Sequence, residues 1–111
     1  MFRKKSLVAL EDLTDGESTA LSAKIKGVNS SLIVVRRQQQ VFVYLNTCPH
    51  VGAPLDFEPG RFLNLEKDLI QCALHGALFT IEQGNCVSGP CEGKHLTAVP
   101  IEMKKGSVYL K

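Results

Sequence analysis

Two short motifs, each pairing one cysteine with one histidine, constrain this chain more than any other feature. They lie at residues 48–50 (Cys-Pro-His) and 72–75 (Cys-Ala-Leu-His), with 21 residues between the first histidine and the second cysteine. A glycine, Gly52 or Gly76, closely follows each motif. Thiolates and imidazoles are the ligands that zinc and iron centres take from proteins. The candidate metal ligands are therefore Cys48, His50, Cys72 and His75.

The segment that contains these motifs differs in composition from the rest of the chain. Residues 47–93 hold all four cysteines, two of the three histidines, four of the five prolines and six of the nine glycines. So many residues that bend the backbone predict loops of fixed shape. Loops held by a rigid scaffold are where functional sites commonly lie.

Outside this segment the pattern is that of β-strands. Residues 32–35 and 41–45 are short runs rich in β-branched and aromatic side chains, which predict strands. The polar residues 36–40 between them suit a hairpin end. Residues 19–26 alternate loosely and end at a cluster, residues 27–30, that predicts a turn.

The C-terminal part of the chain predicts one more hairpin. Residues 98–103 and 108–110 flank residues 104–107, which contain a glycine suited to the turn. Helix signals are weak, and only residues 11–17 and 64–69 could form a turn or two. Several short strands separated by turns predict an all-β barrel or sandwich.

The length and charge of the chain give no support to several classes of function. The 111 residues predict one domain. A net charge of +2, without clustered cations, gives no indication of nucleic-acid binding. No apolar run approaches the roughly 20 residues that span a bilayer, and the apolar stretch near the start is too short for a signal peptide. We therefore expect a cytoplasmic protein, in which four cysteines indicate metal or redox chemistry before disulfides.

The order of the ligands favours an iron–sulfur cluster over zinc. A zinc finger places two cysteines together and then two histidines, whereas here each loop carries one of each. This arrangement suits a two-iron cluster in which one iron takes both thiolates and the other takes both imidazoles. Two ferric ions, two sulfides and two thiolates sum to zero charge, and a neutral cluster accepts an electron more readily than an all-cysteine cluster does. A structural zinc site is the alternative.

At these residues the chain resembles the Rieske proteins. The resemblance covers both loops, their glycines, residues 84–93 and the closing hairpin. It implies one 2Fe–2S cluster per chain, with Cys48 and Cys72 on one iron and His50 and His75 on the other. It also implies a single domain, residues 1–111, in which a small cluster-binding subdomain of approximately residues 46–93 is inserted into an antiparallel β base. A third loop containing proline, at residues 88–91, is expected to cover the cluster.

Departures from the family pattern indicate which branch the chain is similar to. The high-potential Rieske proteins carry an additional cysteine in each ligand loop, and the two form a disulfide. Those positions are Ala53 and Leu74 here. The sequence thus resembles the ferredoxins that supply aromatic-ring oxygenases, or the small subunit of cytoplasmic nitrite reductases. The 21-residue spacer is longer than in many such ferredoxins, and the excess is expected within residues 57–62.

The predicted function is electron transfer by a carrier that is not an enzyme on its own. We expect a monomer that takes one electron from a reductase and passes it to an oxygenase or reductase, without nucleic-acid or membrane partners. Two alternatives are an accessory subunit of a reductase and a sensor whose cluster gates binding to a target.

Other notable side chains have ordinary interpretations. Cys86 and Cys91 are expected to be reduced, half-buried thiols rather than a redox pair or a spare ligand, and His95 is expected to be a surface histidine. Four cations that could dock an acidic partner are expected to be solvated hairpin ends, and three aromatic residues are expected to be core. The cations are Arg36, Arg37, Lys104 and Lys105, and the aromatic residues are Phe57, Phe62 and Phe79.

Overall fold

The computed structural model describes residues 6–49, 52–56, 58–73 and 76–111. That part of the chain holds three antiparallel sheets of three strands, ordered β1-β9-β8, β2-β3-β4 and β5-β6-β7. The all-β prediction is confirmed. The strands are β1 (Val8–Ala9), β2 (Ser18–Ile25), β3 (Val28–Arg37), β4 (Gln40–Leu45), β5 (Leu69–Gln71), β6 (Leu78–Thr80), β7 (Cys86–Ser88), β8 (Ile101–Lys104) and β9 (Ser107–Leu110).

Strand β3 lies between two hydrophobic cores. Successive side chains of a strand point to opposite faces, so a strand buried on both faces reads as a continuous apolar run. Leu32 and Val34 belong to one core, together with Val108 of β9. Ile33 and Val35 belong to the other, which contains residues of the β5-β6-β7 sheet. The β2-β3-β4 sheet therefore supports the β1-β9-β8 sheet on one face and the cysteine-rich segment on the other.

Strand β4 is also hydrogen-bonded through the backbone to the segment that leads into β8. The amide of Leu45 donates to the carbonyl of Thr97 at 2.9 Å, and the amide of Val99 donates to the carbonyl of Val43 at 2.9 Å. We call the β1-β9-β8 and β2-β3-β4 sheets together the base. The β5-β6-β7 sheet is an insertion between two strands of the base, since it comes after β4 and before β8 in sequence.

The predicted hairpins form, with shifted turns. Residues 41–45 lie in β4, and only residues 105–106 of the predicted turn connect β8 to β9, since Lys104 pairs with Ser107. The cluster at 27–30 is a turn only at its start, because β3 already begins at Val28. Residues 36–40 are likewise mostly strand, since Arg37 pairs with Gln40 across a two-residue turn.

The predicted helical turns are largely wrong. Of residues 11–17, only the first two belong to a helix, the short 3₁₀ segment Leu10–Asp12. Residues 64–69 form a hairpin turn, in which the side-chain oxygen of Asn64 accepts bonds of 3.1 Å from the amides of Asp68 and Leu69. A short polar side chain that bonds nearby amides competes with helix formation.

The cations at the hairpin ends differ in role. The guanidinium of Arg36 donates to the carbonyls of Leu10 and Leu13 at 3.2 and 2.8 Å, so this side chain fastens the N-terminal segment to β3. The expectation of a solvated Arg36 is therefore wrong. Arg37 is exposed and lies 3.4 Å from the carboxylate of Glu82. Lys104 and Lys105 are exposed, as expected.

The described residues contain no helix that is long and apolar enough to cross a membrane.

Candidate metal centre

The two candidate ligand cysteines follow strands of different sheets. Cys48 comes three residues after β4 of the base, and Cys72 comes directly after β5. Both side chains are fully buried and belong to the same core, with Phe62, Phe79 and Ile81. Fixed strands on two sides of one core thus bring together thiols that are 24 positions apart in the sequence.

The loops that begin at these cysteines are closed by the same pair of backbone hydrogen bonds. In the first loop the amide of Cys48 donates to the carbonyl of Ala53 at 2.7 Å, and the amide of Gly52 donates back to the carbonyl of Cys48 at 2.7 Å. In the second loop the equivalent bonds join Cys72 with Ala77 and Gly76 with Cys72, both at 2.8 Å. Each candidate histidine lies in sequence inside one of these closed loops.

The glycines of the two loops share a conformation. The φ angles of Gly52 and Gly76 are +74° and +68°, in the left-handed region that glycine adopts without strain. An added Cβ would meet nothing within 4 Å at either position. The amide of Gly76 donates its hydrogen bond to the carbonyl of Cys72 and thereby closes the loop. This amide is therefore not a donor to a cluster sulfur.

The first loop is fastened to the base through Asn46, a buried polar residue. Its side-chain amide donates to Asp56 at 3.0 Å and to Ser31 of β3 at 3.2 Å. Its side-chain oxygen accepts a bond of 2.8 Å from the amide of Leu55. The carbonyl of Leu55 in turn accepts from Ala73 at 2.8 Å, which joins the first loop to the second.

The predicted third loop, residues 88–91, packs against the second. Gly89 has a φ of +99°, and a Cβ at this position would lie 2.8 Å from the Cα of Ala77. The absence of a side chain therefore allows this close approach. Two residues later, the fully buried Sγ of Cys91 lies 3.8 Å from the Sγ of Cys48.

The donor atoms in the described part of the site are those that an iron–sulfur cluster takes as ligands. Two thiols stand in matched loops of one buried core, and thiolates are the ligands that such clusters take. His50 and His75 lie outside the described residues, as do Leu74 and Phe57. Among the described residues no group of three or more His, Cys, Asp or Glu side chains could hold a metal ion, which agrees with only two of the four candidates being described.

The structure also tests the expectations for the aromatic residues, for His95 and for the other two cysteines. Phe62 and Phe79 are fully buried core residues, and His95 is exposed, as predicted. Cys86 is a free thiol that donates to the carbonyl of Ser88 at 3.3 Å, so it is not bonded to Cys91. Both cysteines are buried rather than half-buried, because β7 and the third loop pack onto the core.

Sequence reasoning missed two residues of the site, Asn46 and Cys91. Asn46 gave a weak signal, because a polar residue between a strand and a ligand loop suits a loop-fixing role. Cys91 ends the loop that is predicted to cover the cluster, but its contact with Cys48, 43 positions away, has no signal in the sequence.

Comparisons with known proteins agree with this geometry. The family model of the Rieske [2Fe-2S] domain matches residues 4–103. Ferredoxin CarAc of Metapseudomonas resinovorans is 33% identical over 79 residues, which cover 71% of this chain and 68% of that protein. The Sphingomonas yanoikuyae B1 ferredoxin has a similar structure, with a TM-score of 0.73, 26% identity and 98% of each chain covered. A chain from a complex of reduced oxygenase and oxidized ferredoxin in carbazole 1,9a-dioxygenase is also similar in structure, with a TM-score of 0.71 and 27% identity over 96% of this chain and 100% of that one.

Fold, paired loops and comparisons together define an iron–sulfur protein of the electron-transfer class. The chain belongs to the Rieske 2Fe–2S domain family. Within that family it is of the ferredoxin type, a carrier that binds a 2Fe–2S cluster and serves an oxidoreductase system rather than acting as an enzyme on its own.

Proposed function

We propose that this ferredoxin carries single electrons from a reductase to a terminal oxygenase. The observation that carries the proposal is the pair of identically closed loops, each of which begins at a buried cysteine. A relative 33% identical is a ferredoxin, and a structural neighbour 27% identical comes from a complex of ferredoxin and oxygenase. Both support a role between two redox proteins.

We assign the cluster ligands to Cys48, His50, Cys72 and His75. The thiolates of Cys48 and Cys72 would bind one iron, and the imidazoles of His50 and His75 the other. The bound cluster supplies one-electron redox chemistry. The burial of both cysteines excludes water from the sulfur side, and this favours a stable cluster.

The exposed end of the site is where we expect redox partners to dock. Gly52, Gly76 and Pro90 are exposed and belong to the three loops that surround the cysteines. Small side chains and a proline allow a partner surface to approach the loops closely.

Three broader statements accompany the assignment. We infer that residues 1–111 form one domain, with a cluster-binding subdomain of approximately residues 46–93. The β5-β6-β7 sheet and all three loops fall within that range. A cytoplasmic location, which the proposed use of cysteines as metal ligands suits, and a monomeric state complete the proposal.

The ligand assignment is tested by metal analysis of purified variants. We expect wild type to contain two irons and two acid-labile sulfides per chain, and Cys72→Ala to contain neither. Cys48→Ala is best made together with Cys91→Ala, because the Cys91 sulfur lies close enough to substitute as a ligand. Cys86→Ala, which removes a buried thiol of the same segment, is the control and should keep the full complement. One zinc and no sulfide in wild type would contradict the assignment.

Electron transfer is tested with a terminal oxygenase of a carbazole dioxygenase as acceptor. The chemically reduced ferredoxin is mixed rapidly with the oxidised oxygenase, and the visible absorbance of both clusters is followed. We expect reoxidation of the ferredoxin at a rate that rises with oxygenase concentration. A rate no faster than that with an inert protein would contradict a role in supplying an oxygenase of this kind.

A further inference from the structure

The side chain of Cys91 is held in a fixed position beside a proposed cluster ligand. Its Sγ is fully buried and lies 3.8 Å from the Sγ of Cys48. Its carbonyl accepts a bond of 2.8 Å from the amide of Lys94, and two residues earlier Gly89 packs directly on Ala77. The loop is therefore fixed on both sides of this cysteine.

The distance between the two sulfur atoms indicates a hydrogen bond. It is far longer than the about 2.05 Å of a disulfide, and it is within the range of a weak hydrogen bond between sulfur atoms. A cysteine that binds iron does so as a thiolate, which has no proton to donate. Once Cys48 is a ligand, the proton of this contact must belong to Cys91.

We propose that Cys91 is a positioning residue for electron transfer, whose thiol donates a hydrogen bond to the Cys48 sulfur and thereby raises the reduction potential of the cluster. The proposal rests on the assignment of Cys48 as a ligand. Reduction adds negative charge that is shared with the ligand sulfurs. A donor to such a sulfur stabilises the reduced cluster more than the oxidised one, so the equilibrium shifts toward reduction.

Cys86 provides a matched comparison. It is a buried cysteine only five positions away, at 9% exposure, but its thiol donates to the carbonyl of Ser88. Substitution at Cys86 removes the same chemical group from the same segment without removing the contact with Cys48. A general effect of cysteine loss would affect both positions, whereas a hydrogen bond to the ligand affects only Cys91.

The experiment measures the reduction potential of wild type, Cys91→Ala, Cys91→Ser and Cys86→Ala by voltammetry at one pH and salt concentration. We expect Cys91→Ala to lower the equilibrium constant for reduction by up to tenfold, which is about 59 mV for one electron. Cys91→Ser keeps a hydrogen-bond donor on the same Cβ, so its reduction potential should be close to that of wild type. Cys86→Ala should retain the wild-type value. A Cys91→Ala potential equal to that of wild type, or a shift matched by Cys86→Ala, would overturn the proposal.

A second measurement does not depend on whether the alanine variant assembles. Resonance Raman spectra in H₂O and D₂O should show a deuterium-sensitive iron–thiolate stretch both in wild type and in Cys91→Ser, which keeps an exchangeable donor. A wild-type iron–thiolate stretch that does not respond to D₂O would overturn the proposal. Iron and sulfide analysis separates the two levels of inference. Wild type without a cluster would overturn both the ligand assignment and this inference. An intact cluster whose potential is unchanged in Cys91→Ala, or whose iron–thiolate stretch does not respond to D₂O, would overturn this inference alone.

Discussion

The hydroxyl of Tyr44 on β4 donates a hydrogen bond of 2.5 Å to the carbonyl of Ile81, just after β6. This bond joins the base to the sheet that carries the second proposed ligand loop. The ring of Tyr44 also packs against Gly84, where an added Cβ would lie 2.7 Å from a ring carbon. Strand β4 is thus fixed to the β6–β7 connection by one polar and one steric contact.

The ionisation of Tyr44 gives a first prediction. Burial, and to a lesser extent the carboxylate of Glu82, raises the pKa of Tyr44 to about 12 from its ordinary value of 10.0. The folded protein therefore retains a proton that the unfolded chain loses above pH 10, and this contribution to stability falls as the pH rises from about 10 to 12. In ¹³C-tyrosine NMR of Tyr109→Phe, the remaining tyrosine should titrate near pH 12. Titration near pH 10 would mean that the Tyr44 hydroxyl is solvated.

The Asn46 network gives a second prediction. Asn46→Ala would leave the amide of Leu55 without its acceptor and release Asp56. Leaving a buried donor unsatisfied costs about 1–3 kcal/mol. We expect the visible absorbance of the cluster to disappear at lower urea concentration than in wild type. The control is Asn85→Ala, which removes an exposed side-chain bond to Gln83 and should leave the midpoint unchanged. Equal midpoints for Asn46→Ala and wild type would show that the network does not hold the loop.

The packing of the third loop gives a third prediction. Gly89→Ala would place a methyl group 2.8 Å from the backbone of Ala77, whereas Gly93→Ala would meet nothing within 4 Å. Both glycines have positive φ, at +99° and +86°, so both substitutions carry a similar conformational cost of about 1 kcal/mol or more. Only Gly89→Ala should displace the loop and accelerate cluster loss in air. Equal rates of absorbance decay in the two variants would contradict the steric argument.

The absence of a disulfide between the ligand loops gives a fourth prediction. Ala53 stands at one of the two positions where high-potential relatives are expected to have cysteine, and Leu74 at the other. We expect a reduction potential toward the lower end of the roughly −150 to +300 mV range of Rieske clusters. Voltammetry giving a value well above zero would contradict this expectation.

The sequence allowed the base to be predicted better than the cluster-side sheet. Strands β3 and β4 contain apolar runs of four and five residues, rich in β-branched and aromatic side chains and long enough for composition to indicate a strand. The closing hairpin is marked by the glycine at its turn. Strands β5, β6 and β7 are three residues each, too short to show alternation, and tertiary contacts define them. The sequence does not identify Asn64 as a turn residue, because this role depends on the hydrogen bond that its side-chain oxygen accepts from the amide of Asp68.

The residues of the candidate site also differ in how well the sequence predicts them. Cys48 and Cys72 were identified because each belongs to a local motif whose spacing is visible along the chain. Cys91 contacts Cys48 only because Gly89 lets the third loop lie directly on the second. A contact that depends on packing between loops distant in sequence leaves no local pattern, so the sequence alone does not distinguish Cys91 from an ordinary thiol.

The burial of Cys48 and Cys72 within the core has a consequence for the abundance of the protein. Both are core residues and proposed cluster ligands, so we expect a chain that lacks its cluster to lack part of its folding free energy as well. Such a chain spends more time open, and cellular proteases degrade open chains. The steady-state amount of this ferredoxin should therefore follow the supply of iron and sulfide, with unloaded chains removed before they can compete with loaded ones for redox partners.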